Sequence, residues 1–166
     1  MNATFQRTVA RLLWGAASGA VGTVALNAVT YGDMLLRGRA SSGAPAQMAG
    51  TLADYAGIDV LRSENDNETA ANRRSAAGAL LGYTTGVGIG VVYAAMRNDG
   101  GKASPFGAGV MLGLAATAAS DVPLALTGTS DPRTWSGAAW LSDLIPHLAY
   151  GLATATTFEQ RNGSSE

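Results

Sequence analysis

The chain has 166 residues, 47% of them hydrophobic and 14% charged, with a formal charge of -1 and no cysteine. That balance offers no basic field for nucleic acid and no acidic tail, and the missing cysteine removes disulfides, thiolate chemistry and cysteine metal sites. A mean hydropathy of +0.12 would suit a water-soluble domain; the charge distribution does not, because four windows of about 20 residues are nearly free of Lys, Arg and Glu, with the charges gathered between them.

The first predicted span covers 12–36. Arg7 and Arg11 precede it as they would in a secretory leader, but the apolar part is too long for a leader's core, so we read a retained span. Gly15, Gly19 and Thr23 open a small-residue face that Asn27, Thr30 and Asp33 continue at helical spacing, with Arg37 one turn beyond. Polar groups are costly against lipid, so this face is expected to look into protein. Residues 37–74 form a polar loop carrying Arg37, Arg39, Arg62, Arg73 and Arg74 with Asp54, Asp59, Glu64, Asp66 and Glu68, and belong in water. Within it Pro45 can start a short amphipathic helix on which Met48, Leu52 and Tyr55 share a face, resting on the bundle or the interface. Residues 65–67 read as a turn, and Thr69 onward as an extension of the next helix.

The second span, 76–96, sets the pattern for the rest. Gly78, Gly82, Gly86 and Gly90 recur every fourth residue, so on a helix they form one inclined ridge without side chains, where a neighbouring backbone can approach closely. Each glycine costs about 1 kcal/mol against alanine in a helix in water, so this composition suits a bilayer, where an unpaired backbone costs more. About 20 residues at about 1.5 Å each cross a hydrocarbon core of about 30 Å.

A turn at 97–104 should bring the third span, 106–126, back beside the second. On it Gly109, Gly113, Thr117 and Asp121 lie four apart, and Pro123 loosens the end. A turn at 127–136, containing Asp131-Pro132, leads to the fourth span, 137–158, where Ala139, Asp143, His147, Gly151 and Ala155 are again four apart and Pro146 separates the two ionisable residues. Residues 159–166 read as a disordered polar tail. Trp14, Trp135, Trp140, Tyr31 and Tyr150 fall toward span ends and read as headgroup anchors. Spans one and three both close on an aspartate and are followed by glycine-containing helices, a pattern that a parallel repeat of two hairpins would give. Basic residues are nearly balanced between the two faces, with Arg7 and Arg11 favouring cytoplasmic termini.

This topology puts the end of span one, the end of span three and the start of span four on the same side. Asp33, Asp121 and Asp143 then share a leaflet, with His147 one turn deeper. An ionised carboxylate in hydrocarbon costs about 2.5 kcal/mol or more, so such residues mark pairing, water or function. Crowded carboxylates do not all ionise cheaply, and a histidine exchanges protons near neutral pH, so the four residues are candidates for handling protons or small cations. The plainer reading pairs Asp33 with Arg37, lets Asp121 cap backbone freed by Pro123 and leaves Asp143 solvated at its helix start. Other chemistry is weakly encoded. Gly86-Val-Gly88-Ile-Gly90 and Gly107-Ala-Gly109 lack the strand and acidic partner of a dinucleotide site, and Gly101-Lys102-Ala103 lacks the spacing of a phosphate loop. One histidine with Asp33, Asp121 and Asp143 is a poor zinc set, and Ser142 is badly placed to be activated by His147.

The glycine-rich spans, together with His147-Leu-Ala-Tyr150-Gly151 in the last one, resemble small uncharacterised bacterial inner-membrane proteins of the YagU-like kind. The resemblance covers the membrane segments and not the long loop. It implies a multi-pass plasma-membrane protein, permits a link to acid tolerance and transfers no catalytic residues. The expected architecture is a single all-α domain, a four-transmembrane-helix bundle packed along Gly78, Gly82, Gly86, Gly90, Gly109 and Gly113. Its expected partners are the lipid bilayer and either further copies of itself or a larger membrane complex, with no nucleic acid, no cofactor, no metal and no enzymatic activity. The expected function is proton or small-cation handling through Asp33, Asp121, Asp143 and His147. The competing expectation is a non-catalytic accessory or scaffold protein that stabilises a larger complex.

Overall fold

The computed structural model describes residues 2–62, 67–97 and 103–163, with side chains to residue 161. Residues 65 and 66 of the first expected turn, most of the 97–104 turn, and Glu64, Asp66 and Lys102 fall outside the described residues. Among the described residues every regular element is helical: α1 (Ala3–Arg37), α2 (Ala44–Ala56), α3 (Glu68–Met96), α4 (Pro105–Leu126) and α5 (Gly137–Gly163), with 3-10 turns at Asp59–Leu61 and Pro132–Thr134.

The helices begin where the sequence supplies caps. The Asn2, Asn67 and Ser104 side chains accept from the backbone amides of Thr4, Ala70 and Gly107, and Ser136 accepts from Ala139 ahead of α5, satisfying donors that have no partner within their own helix. α2 stops at Gly57, whose φ of 68° lets the chain fold back so that the Ile58 amide reaches the Ala53 carbonyl at 2.8 Å. Two helices exceed their expected spans. α3 begins at Glu68, as the reading of Thr69 onward anticipates, and α5 runs to Gly163, so residues 159–163 are helix and not a disordered tail.

α1 packs against both α3 and α5, and α5 packs against α4. Each of these pairs is antiparallel. Gly15 and Gly19 of α1 face Gly90 and Gly86 of α3, Gly22 faces Tyr150 and Thr154 of α5, and Gly109 and Gly113 of α4 face Leu152 and Leu148 of α5. The third span is expected beside the second, but α4 makes its main contact with α5, and α3 with α1 and α2. A Cβ on Gly90 would lie 2.8 Å from the Gly19 backbone, and one on Gly109 would lie 2.8 Å from the Leu152 Cα. Glycine is therefore what sets the helix separation.

The glycine ridge of α3 is shared between two partners. Gly86 and Gly90 meet α1, Gly78 meets the Pro45 carbonyl of α2, and Gly82 has nothing within 4 Å of where a Cβ would be. Among the described residues of one chain Gly82 therefore makes no close helix contact, unlike the other glycines of the ridge. The reason is helical: a four-residue step turns the ridge by about 40°, so a run of twelve residues rotates from α2 to α1, and Gly82 falls in the gap between them. The amphipathic face of α2 also differs from the expected one. Met48, Ala49 and Ala53 are buried against α3, whereas Leu52 and Tyr55 point outward.

Burial is inverted relative to a protein folded in water. The interior is rich in Gly, Ala, Ser and Thr, with Tyr150, Phe158, Leu112, Leu124 and Met48 among them, while Leu13, Leu80 and Met111 are 66%, 67% and 69% exposed. An apolar exterior of this extent marks a surface suited to a membrane or a partner. α1, α3 and α4 are each long and apolar enough to cross a membrane. Among the described residues three helices, not the expected four, meet that condition, because Asp143 and His147 dilute the apolar stretch of α5.

Candidate functional site

The four helices bring two polar clusters to one end of the bundle, where α1 and α4 finish and α5 begins, and a third to the opposite end. We call these the Arg37 end and the Arg97 end.

At the Arg37 end, Asp121 of α4 is buried at 8% exposure. Its carboxyl lies within hydrogen-bond reach of Asp143 on α5, with His147 close by. The Gly113 and Gly151 contacts draw the two backbones together about two turns away, which is what carries Asp121 against α5. His147 follows Asp143 by four residues on the same face. Its Nδ1 lies 2.8 Å from the Asp143 carbonyl and 3.4 Å from Asp143 Oδ1, so that nitrogen carries a proton directed at Asp143. α5 continues as a helix through Pro146, whose missing amide frees a carbonyl in this same turn. The Oδ2 atoms of Asp121 and Asp143 are both buried, and among the described residues neither has a donor. Carboxylates have only acceptors to offer each other, so a single proton between them would supply the donor that both lack.

Asp33 is not part of this set. It lies on α1 and is bound by Arg37 at 2.6 Å and Arg39 at 2.5 Å. Arg37 also donates to the Ser142 hydroxyl of α5, and that hydroxyl donates in turn to the Ala138 carbonyl at 2.8 Å. The inward set expected from sequence therefore divides: Asp121, Asp143 and His147 meet at the α4–α5 seam, and Asp33 joins a separate ion-paired group at the edge. The pairing with Arg37 follows the four-residue spacing; the pairing with Arg39 lies past the helix end at Gly38 and has no periodic signal.

The Arg97 end holds a carboxylate with a full set of partners. Glu159, its side chain 8% exposed, accepts from the Tyr93 hydroxyl at 2.6 Å and from Arg97 Nη2 at 3.3 Å, and Arg11 donates to the Arg97 carbonyl at 2.8 Å. Tyr93 and Phe158 pack edge to face beside it, and Arg161 lies over the Trp14 ring at 5.2 Å. Assigning residues 159–166 to a tail hid Glu159. The available signal was that Arg97 and Glu159 stand just past two predicted spans on the same face.

The seam between the two ends contains Tyr150. Read from sequence as a headgroup anchor, it is 1% exposed and donates from its hydroxyl to the Gly86 carbonyl at 2.7 Å. That carbonyl already serves its own helix, and it is open to a second donor because Gly86 carries no side chain. Ser18 and Thr23 turn their hydroxyls back to carbonyls four residues earlier, at 2.8 and 2.9 Å, so the middle of the bundle needs no water to satisfy them. Among the described residues no group of three or more His, Asp or Glu side chains is arranged to hold a metal ion. Comparison with family models, curated proteins and solved structures gives no match for the chain.

Proposed function

We propose that the chain is a four-span membrane protein of the bacterial plasma membrane that handles protons, or small cations in exchange for them, through Asp121, Asp143 and His147. The observation that carries this reading is the meeting of Asp121 and Asp143 at the α4–α5 seam, each with a buried oxygen that no donor among the described residues reaches, and with His147 directed at Asp143. The outward-facing Leu, Val, Phe and Met side chains support the membrane setting, and the close antiparallel packing of α5 on α1 and α4 supports carrying α5 across as a fourth span despite its polar residues. In a bilayer, ionisable side chains directed at a seam are tolerated when they pair, meet water or exchange protons. In this arrangement the Asp pair holds a proton and His147 receives or returns it, while Asp33 with its two arginines is structural. No covalent catalysis is assigned to any residue. The YagU-like resemblance fits the same reading through acid tolerance.

The test is proton flux in vesicles reconstituted with the purified chain and loaded with a pH-sensitive dye. The wild type is expected to dissipate an imposed pH gradient faster than protein-free vesicles, and Asp143→Asn and His147→Ala are expected to abolish the difference. Wild-type vesicles indistinguishable from empty ones would refute the reading and favour a scaffold, for which a larger partner recovered in fixed stoichiometry would be the positive sign.

A further inference from the structure

Between α1 and α5 at the Arg37 end lies a lateral cleft of about 200 Å³. Val29, Leu141, Ile145 and Pro146 form its apolar walls, and Asp33, Arg37 and Ser142 line its polar part. On α1 the sequence Val29, Asp33, Arg37 climbs one turn at a time toward the helix end, and on α5 Ile145 and Pro146 lie about one turn deeper than Leu141 and Ser142, so the charged part lies outermost and the purely apolar part deeper. In a membrane that order places charge at headgroup level and hydrocarbon below it.

The charge at the mouth is unbalanced. Among the described residues Asp33 is the one carboxylate brought to Arg37 and Arg39, at 2.6 and 2.5 Å, so two guanidiniums against one carboxylate leave a single positive charge. The Arg37 side chain is 42% exposed, and a guanidinium has five N–H donors in a planar fork suited to phosphate oxygens. Arg37 directs donors at Asp33 and Ser142 and retains others. An occupant that completes this cleft carries one negative charge on oxygen at one end and a hydrocarbon chain at the other.

The geometry points to a binding site for one anionic phospholipid, its phosphodiester on Arg37 and Arg39 and the upper part of one acyl chain along Val29 and Ile145. This rests on the membrane reading above. It adds a lipid to the Asp33 cluster, which the proton chemistry leaves unused.

The test is native mass spectrometry of the full chain released from detergent micelles, comparing phosphatidylglycerol with phosphatidylcholine of the same acyl chains. The wild type is expected to retain phosphatidylglycerol about fivefold more than phosphatidylcholine, the preference of about one interfacial charge. Arg37→Gln combined with Arg39→Gln is expected to lose that preference, and inorganic phosphate is expected not to displace the lipid. If the double variant fails to fold, Ile145→Trp decides: it fills the cleft with both arginines intact and should reduce retention of phosphatidylglycerol. Equal retention of the two lipids, an unchanged preference in the double variant, full retention in Ile145→Trp, or displacement by phosphate would each overturn the lipid site. A chain recovered without detergent in the soluble fraction would instead overturn the membrane reading beneath it.

Discussion

The two ends of the bundle each bury acid, and they treat it differently. At the Arg97 end Glu159 is met by the Tyr93 hydroxyl and the Arg97 guanidinium, with Arg11 closing the network over Arg97. At the Arg37 end Asp121 and Asp143 face one another with an oxygen each that nothing donates to. Burying a charge is tolerated when its partners are complete, so Glu159 reads as a lock on the fold. Two carboxyls that lack a donor have a place for a proton, and that difference is what separates them from the Glu159 carboxylate at the other end.

The comparison is broken most severely by removing the satisfied acid. Glu159→Ala leaves Arg97 and Tyr93 without their anion, and thermal unfolding in detergent should show a loss of about 3–5 kcal/mol; a loss below about 1 kcal/mol would mean that the two ends are not different in kind. Next in size is the seam that holds both ends in register. Gly90→Ala sets a methyl group against the Gly15 and Gly19 backbone, and the overpacking should cost about 1–3 kcal/mol. Asp121→Asn sharpens the contrast because its effect on stability has the opposite sign to that of Glu159→Ala. The amide supplies a donor to Asp143, so stability should hold or rise by about 1 kcal/mol while vesicle flux disappears. Smallest of all, Gly82→Ala enters open space and should stabilise α3 by at most about 1 kcal/mol, read from the same unfolding curve; a destabilisation as large as that of Gly90→Ala would place Gly82 in a contact outside the single chain.

Much of this arrangement is legible in the residues. Charge-poor windows and four-residue glycine spacing locate the helices, because both follow from the 3.6-residue turn and from the cost of polar groups in hydrocarbon. The spacing of Asp143 and His147 gives their contact, and that of Asp33 and Arg37 gives their ion pair. What stays hidden depends on which helices become neighbours. Gly82 shares the ridge of Gly78 and Gly90 but falls between α2 and α1. Tyr150 has the composition of an interfacial residue, yet Gly22 and Gly86 clear a space for its ring in the interior. Glu159 looks like the start of a tail until Tyr93 and Arg97, more than 60 residues away in sequence, are seen beside it. Asp33 is the instructive case: topology places it on the same side as Asp121 and Asp143, but Arg39, beyond the helix end, joins Arg37 in holding it.

Whether Asp121 and Asp143 share a proton, as we propose, is tested most directly by infrared spectroscopy of the chain in lipid vesicles at neutral pH. We expect a protonated carboxylic-acid C=O stretch in the wild type that disappears in Asp121→Asn and in Asp143→Asn and persists in Asp33→Asn. A spectrum without that band, or one in which Asp121→Asn leaves it in place, would refute a proton held between Asp121 and Asp143.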